Sequence, residues 1–166
     1  MFGILRTTLA IMVMTGHLFF ESFKLGGYAV FGFYIISGYL MTLIMHESYS
    51  YTRIGQYSFA VNRFLRLYPQ YWLAAIFTMV LILIIGDETV RNYNESMFLP
   101  VTYSDYFNNI LMIFPSWNPS DIKPRLVPPS WALTVEILFY VLICLGISKT
   151  VLRVKIWFLL SICYVV

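Results

Sequence analysis

Charge is scarce in this sequence. Asp, Glu, Lys and Arg together make up 11% of its 166 residues, against roughly 25% in a typical soluble domain. So few charges cannot cover the surface of a water-soluble globule of this length. A large excess of one sign is missing too. The net charge is +3, too small to point to nucleic acid as a partner. Cysteine is nearly absent: Cys144 and Cys163 both lie in apolar runs, which excludes a disulfide scaffold. The two histidines, His17 and His46, sit too far apart in expected depth to share a metal. Neither cysteine has metal-ligand spacing around it, so no metal or bound cofactor is expected. What the sequence does have is apolar. Hydrophobic residues make up 60% and aromatics 19%, the opposite of a disordered chain. An integral membrane protein remains.

The runs without charge locate the spans. Residues 25–45 and 67–86 hold no charged side chain. Each supplies about 20 residues, enough to cross a hydrocarbon core ~30 Å thick at 1.5 Å per residue. Residues 126–148 carry one charge, Glu136, and residues 3–20 carry Arg6 near their start and His17 near their end. The N-terminal run lacks a small-x-small cleavage site, so it reads as a retained helix and not as a signal peptide. A fifth run opens at Ile156 and stops at Val166, about half a bilayer of helix. The expectation is an all-α, polytopic transmembrane bundle of about four full spans plus an incomplete fifth. It forms one domain over residues 1–166, the first part of a longer protein. Arg6, then Arg53, Arg63 and Arg66, then Lys149, Arg153 and Lys155 fall on one side if the N-terminus is cytoplasmic. The stretch 87–125 then lies outside. Within it, residues 106–117 are apolar but too short to span, and are expected to form an interfacial or re-entrant helix.

A few polar residues stand where they are expensive. An ionisable group inside a span is a functional candidate by default. His17 and Arg6 lie eleven residues apart, which in a helix is ~16 Å along the axis and ~20° around it. They share one stripe. Glu136 lies about two turns into the fourth span, after Ser130 and Trp131, with Tyr140 one turn further on the same face. Under the N-in topology Glu136 and His17 reach similar depth. That pairing serves general-base catalysis, or alternatively a structural ion pair. Arg63 and Arg66 are spaced for one helix face. They read as a topology anchor or as an anion site. Gly27, Gly32, Ser37 and Gly38 in the second span are expected at close helix contacts. Asn94-Glu95-Ser96 fits the glycosylation sequon, a short and weak pattern.

Four motifs stand in a telling order. Arg6 and His17 come first, then Phe33-Tyr34-Ile35-Ile36-Ser37-Gly38-Tyr39-Leu40, then Arg63-Phe64-Leu65-Arg66-Leu67-Tyr68-Pro69-Gln70-Tyr71-Trp72, then Ser130-Trp131-Ala132-Leu133-Thr134-Val135-Glu136 with Phe139-Tyr140. Together they resemble the acyltransferase 3 family of integral-membrane O-acyltransferases. The resemblance covers nearly the whole chain and the N-terminal half of a typical member. It implies transfer of an acyl group, commonly acetyl, from acyl-CoA to a hydroxyl of a surface glycan or lipid-linked saccharide. It implies a multi-pass protein of the cell membrane, in bacteria the inner membrane. It also implies His17 as general base, Glu136 as its acidic partner, and Arg6, Arg63 and Arg66 toward the acyl-CoA. Ser130 and Tyr140 are candidates for support. Direct transfer and an acyl relay both stay open. So does a different class, a permease fragment or non-catalytic relative with His17 and Glu136 as a polar pair.

Overall fold

A computed structural model describes residues 2–19, 25–116 and 121–165, and within these the side chains of Arg6 and His17, among others, are not described. Among the described residues the chain is helical, without strands. The helices are α1 (Phe2–Phe19), α2 (Leu25–Ile44), α3 (Arg53–Ile85), α4 (Asp87–Tyr93), α5 (Tyr103–Leu111), α6 (Ser130–Cys144) and α7 (Val151–Val165). A short π-helical turn, Met45–Tyr49, continues α2. The chain divides into two compact units. The first comprises the residues up to Phe59 and those from Phe139 onward, and the second is Ala60–Leu138.

Among the described residues, two helical stretches are long and apolar enough to cross a membrane, Tyr28–Tyr49 and Arg53–Ile85. The expected fourth span is shorter than its apolar run. Pro128 and Pro129 stand just before it, and the helix starts only at Ser130, giving 15 residues, about 22 Å. The last helix is longer than expected at its start. It begins at Val151 and takes in Arg153 and Lys155, two residues assigned to a loop.

In the first unit, α1 packs on α2, and Gly32 is the point of close approach. A Cβ there would lie 3.2 Å from the Leu9 side chain, whereas one on Gly38 would meet nothing within 4 Å. Only the former is a packing glycine. The turn after α2 is tied to the chain's later part by polar contacts. His46 Nε2 lies 2.8 Å from the Ser148 carbonyl oxygen, and Tyr51 OH lies 2.7 Å from Ser148 Oγ. Gln56 Nε2 donates to the Cys144 carbonyl at 2.7 Å. Phe59 is fully buried with its ring edge-on to those of Tyr49 and Tyr140. α6 ends in a glycine cap: Gly146 takes a positive φ of 88°, and Ile147 N donates to the Leu142 carbonyl.

The second unit is built on α3 from Ala60 to its end at Ile85. Tyr71, Ala75, Thr78 and Ile82 are buried on it as a stripe at three- and four-residue spacing, with Arg63 buried about two turns before them. Leu73, Ile76, Phe77, Leu83 and Ile84 on the other sides are exposed. A soluble protein does not leave such a face uncovered. Met112 and Leu126 pack into the stripe, with Val90, Leu99, Leu133 and Ile137 around them.

The connection after α3 folds back along it. Asp87 Oδ1 accepts from Leu99 N, and Asn94 Oδ1 accepts from both N and Oγ of the buried Ser96. The sequon is therefore a closed turn. Lys123 reaches Glu95 at 2.9 Å and holds its carboxyl below the ordinary value. A capping box of Thr102 and Asp105 starts α5. At its other end α5 stops at Met112, which is left-handed. The orphan carbonyls there are taken by side chains of the longer helices. Tyr68 OH donates to Leu111 O at 2.8 Å, Trp72 Nε1 to Ile110 O at 2.9 Å, and Thr134 Oγ1 to Met112 O at 3.0 Å. Tyr68 is roughly 26 Å of helix away from Ile85, where α3 ends. Of the expected apolar segment 106–117, residues up to Leu111 are helical, and this helix lies alongside α3 and not beyond its end.

Candidate functional site

Buried polar residues define the site in the second unit. Tyr71 comes from α3 and Ser130 from the first turn of α6. Tyr71 is 4% exposed and Ser130 0%. Their hydroxyls face each other closely enough to interact electrostatically, yet neither reaches a hydrogen-bond partner. From this contact α6 runs back along α3 toward its N-terminal end, where Tyr140 meets Phe59 edge-on and the Cys144 carbonyl accepts from Gln56. Arg63 lies ~12 Å back along α3 from Tyr71, and Glu136 lies ~9 Å along α6 from Ser130. The two charges come to a comparable level within one unit. Arg63 is 8% exposed and Glu136 half-buried, and both make polar contacts.

This arrangement separates two residues that the spacing placed together. Arg63 is buried, while Arg66, three residues on, is exposed. Arg63 sits at the edge of the buried stripe, about 80° around the helix from Tyr71, and the three-residue step turns Arg66 a further ~60° away from it. Burying a guanidinium is costly unless its charge is matched. Glu136 is the acid whose helix brings it level with Arg63. The start of α6 at Ser130, opposite Tyr71, sets it there.

The remaining predicted residues distribute as follows. Arg6 and His17 lie in α1, whose helix is continuous from Phe2 to Phe19, so their axial spacing holds. Their side chains fall outside the described residues, and so does any partner of either. Tyr140 is buried in the first unit against Phe59. Among the described residues no three His, Cys, Asp or Glu side chains gather to hold a metal.

Sequence reasoning passed over Tyr71 and two polar residues of the connection. Asn109 is 3% exposed; its Nδ2 donates to the carbonyls of Asp105 and Pro124, and its Oδ1 accepts from Leu126 N. Arg125 is 7% exposed, donating from Nε to Pro128 O and from Nη1 to Ile122 O. The signal for Tyr71 was available in the spacing of Tyr71, Ala75, Thr78 and Ile82. No local pattern marks Asn109, whose partners at Pro124 and Leu126 lie fifteen and seventeen residues on, or Arg125, whose partners at Ile122 and Pro128 are carbonyls of an irregular stretch.

A family model described as an acyltransferase domain, that of the acyltransferase 3 family, matches residues 2–166. No curated protein matches the chain, and neither does any solved structure.

Proposed function

The chain belongs to the acyltransferase 3 family, and on that premise we propose that it carries acyl groups, acetyl in the first instance, from acyl-CoA to a hydroxyl of a cell-surface glycan or lipid-linked saccharide. The observation that carries this reading is the family match along residues 2–166. The motif residues in this span supply a base, an acid and three cations. The acceptor oxygen attacks the thioester carbonyl carbon, and His17 takes its proton. The carbonyl then re-forms, the C–S bond breaks, and coenzyme A leaves as the thiolate, which picks up a proton. An ester remains on the acceptor. A positioned general base of this kind contributes roughly 10²–10⁴-fold.

The arginines divide the work. Arg66 is exposed and free to meet the phosphates of the donor, for which a guanidinium fork is suited. Arg6 serves the same donor from α1. Arg63 is buried and level with Glu136, the acid that the family resemblance pairs with His17. Ser130 and Tyr140 support the site from α6, Ser130 together with Tyr71. The membrane setting rests on the apolar helices α2 and α3 and on the family. Placement in a bacterial inner membrane follows the resemblance.

The test supplies labelled acetyl-CoA and a mixed surface-glycan extract to membranes carrying this chain. Label on the glycan from the parent and none from His17→Ala is the expected result. His17→Gln separates a base from a hydrogen-bonding group. A loss of about 10²-fold or more in rate is expected for a base, and full activity overturns that role. Transfer from neither chain, with acetyl-CoA unbound, would move the non-catalytic or permease reading ahead.

A further inference from the structure

The helix α5 is built inside out. Its buried position is Asn109, while Tyr103, Phe107 and Ile110 are more than half exposed and Tyr106 nearly so. These four lie at 103, 106, 107 and 110, one face of a helix. Every polar atom of the Asn109 amide is engaged by backbone groups within the unit. A helix in water would place these groups the other way round.

The carbonyls at its C-terminus make the same point. A helix end in water leaves its last carbonyls to the solvent. Here Ile110, Leu111 and Met112 each receive a side-chain donor, from Trp72, Tyr68 and Thr134. Irregular backbone at hydrocarbon depth needs such internal partners, since no water is present to supply them. The outward face of α5 also continues into that of α3. Between the two helices runs a groove of about 360 Å³, bordered by Trp72, Ile76, Met79, Pro100, Tyr106 and Ile110. Its walls are almost wholly apolar. Asn109 reaches it, but with its amide already satisfied. Ile76 belongs both to the groove and to the exposed apolar face of α3.

From this we infer that the groove between α3 and α5 holds a hydrocarbon chain of a bilayer lipid. The occupant is apolar because almost no polar surface faces the groove. It comes from the bilayer because the groove opens along the exposed apolar flank of α3, a helix long enough to cross a membrane. The capped carbonyls keep α5 stable at that depth, and the lipid chain covers the face that the protein leaves bare. The inference depends on α3 crossing a bilayer and not on the acyl-transfer reading.

The chain, reconstituted in phosphatidylcholine vesicles with a diazirine at the end of one acyl chain, is irradiated, digested and mapped by mass spectrometry. Adducts are expected on the peptides containing Ile76 and Ile110, besides those on the exposed flank at Leu83 and Ile84. Ile76→Trp and Ile110→Trp, both at partly exposed positions, fill the groove. Each should remove the adducts on the opposite wall of the groove while those at Leu83 and Ile84 persist, which also reports that the variant is folded and inserted. Groove adducts that survive both fillings would overturn the inference. So would adducts confined to Leu83 and Ile84 in the parent. Modification of Ile110→Cys by a water-soluble, membrane-impermeant thiol reagent would overturn it as well, because the groove would then face water.

Discussion

Gly55 and Gly38 show how unequally the same residue type can be constrained. A Cβ on Gly55 would collide with the Tyr49 carbonyl oxygen and press on that of Ser50. Those are backbone atoms of the turn that joins α2 to α3, so nothing there gives way easily. Gly38 faces open space. Gly55→Ala is expected to cost about 1–3 kcal/mol as an overpacked substitution, and Gly38→Ala less than about 0.5 kcal/mol. Thermal unfolding of the two variants in the same detergent checks the pair; equal midpoints would refute the assigned collision. The arginines differ in the same way. Arg66→Ala, at an exposed position, should weaken acyl-CoA binding and leave the unfolding midpoint unchanged. Arg63→Ala strips a buried cation from the level of Glu136 and should lower the midpoint, since an unmatched buried charge costs about 3–5 kcal/mol. Titration of acyl-CoA against both variants, beside their melts, separates a donor contact from an internal charge pair. If Arg66→Ala binds as the parent does, its phosphate role falls.

At the scale of elements, α5 is the informative one. It is nine residues long, too short to persist by itself in water. It is held by the capping box at its start, the three side-chain donors at its end, and Asn109 in its middle. Asn109→Ala removes three hydrogen bonds at once and leaves the Leu126 N–H and the Pro124 carbonyl unsatisfied. Each orphaned buried group costs about 1–3 kcal/mol. The expected result is faster amide exchange over residues 103–111 and at Leu126, with α1 and α2 unaffected. Uniform acceleration over the whole chain, or none, would be the wrong outcome. Part of this element was legible in advance. The apolar run 106–117 reads in the sequence as too short to span. Its depth along α3 was not legible, because it is set by Tyr68, Trp72 and Thr134, residues that no local pattern links to it.

At the scale of the whole molecule, α2 and α3 expose apolar side chains where a soluble protein would bury them, Tyr28, Phe31 and Ile35 on the one and Leu73, Phe77 and Ile84 on the other. These surfaces fit hydrocarbon. The chain should stay in the membrane pellet after washing with alkaline carbonate and be released only by detergent. Release by carbonate would contradict the spanning role of both helices.

The sequence by itself determined the helical class, the membrane environment and the family. All three follow from quantities that do not depend on how distant residues meet: hydropathy along a run, scarcity of charge, and motif order. It also determined which residues to suspect, His17, Glu136 and the arginines. The tertiary structure decided which of them share a level. Proline at 128 and 129 delays α6 until Ser130, opposite Tyr71, and the connection through α5 carries the chain back along α3 before α6 begins. Those two events set Glu136 level with Arg63, and Arg63, at the edge of the buried stripe of α3, stays inside while Arg66 turns out. A depth counted from the end of an apolar run misses this, because the run's end and the helix's start are different places and only packing fixes the second.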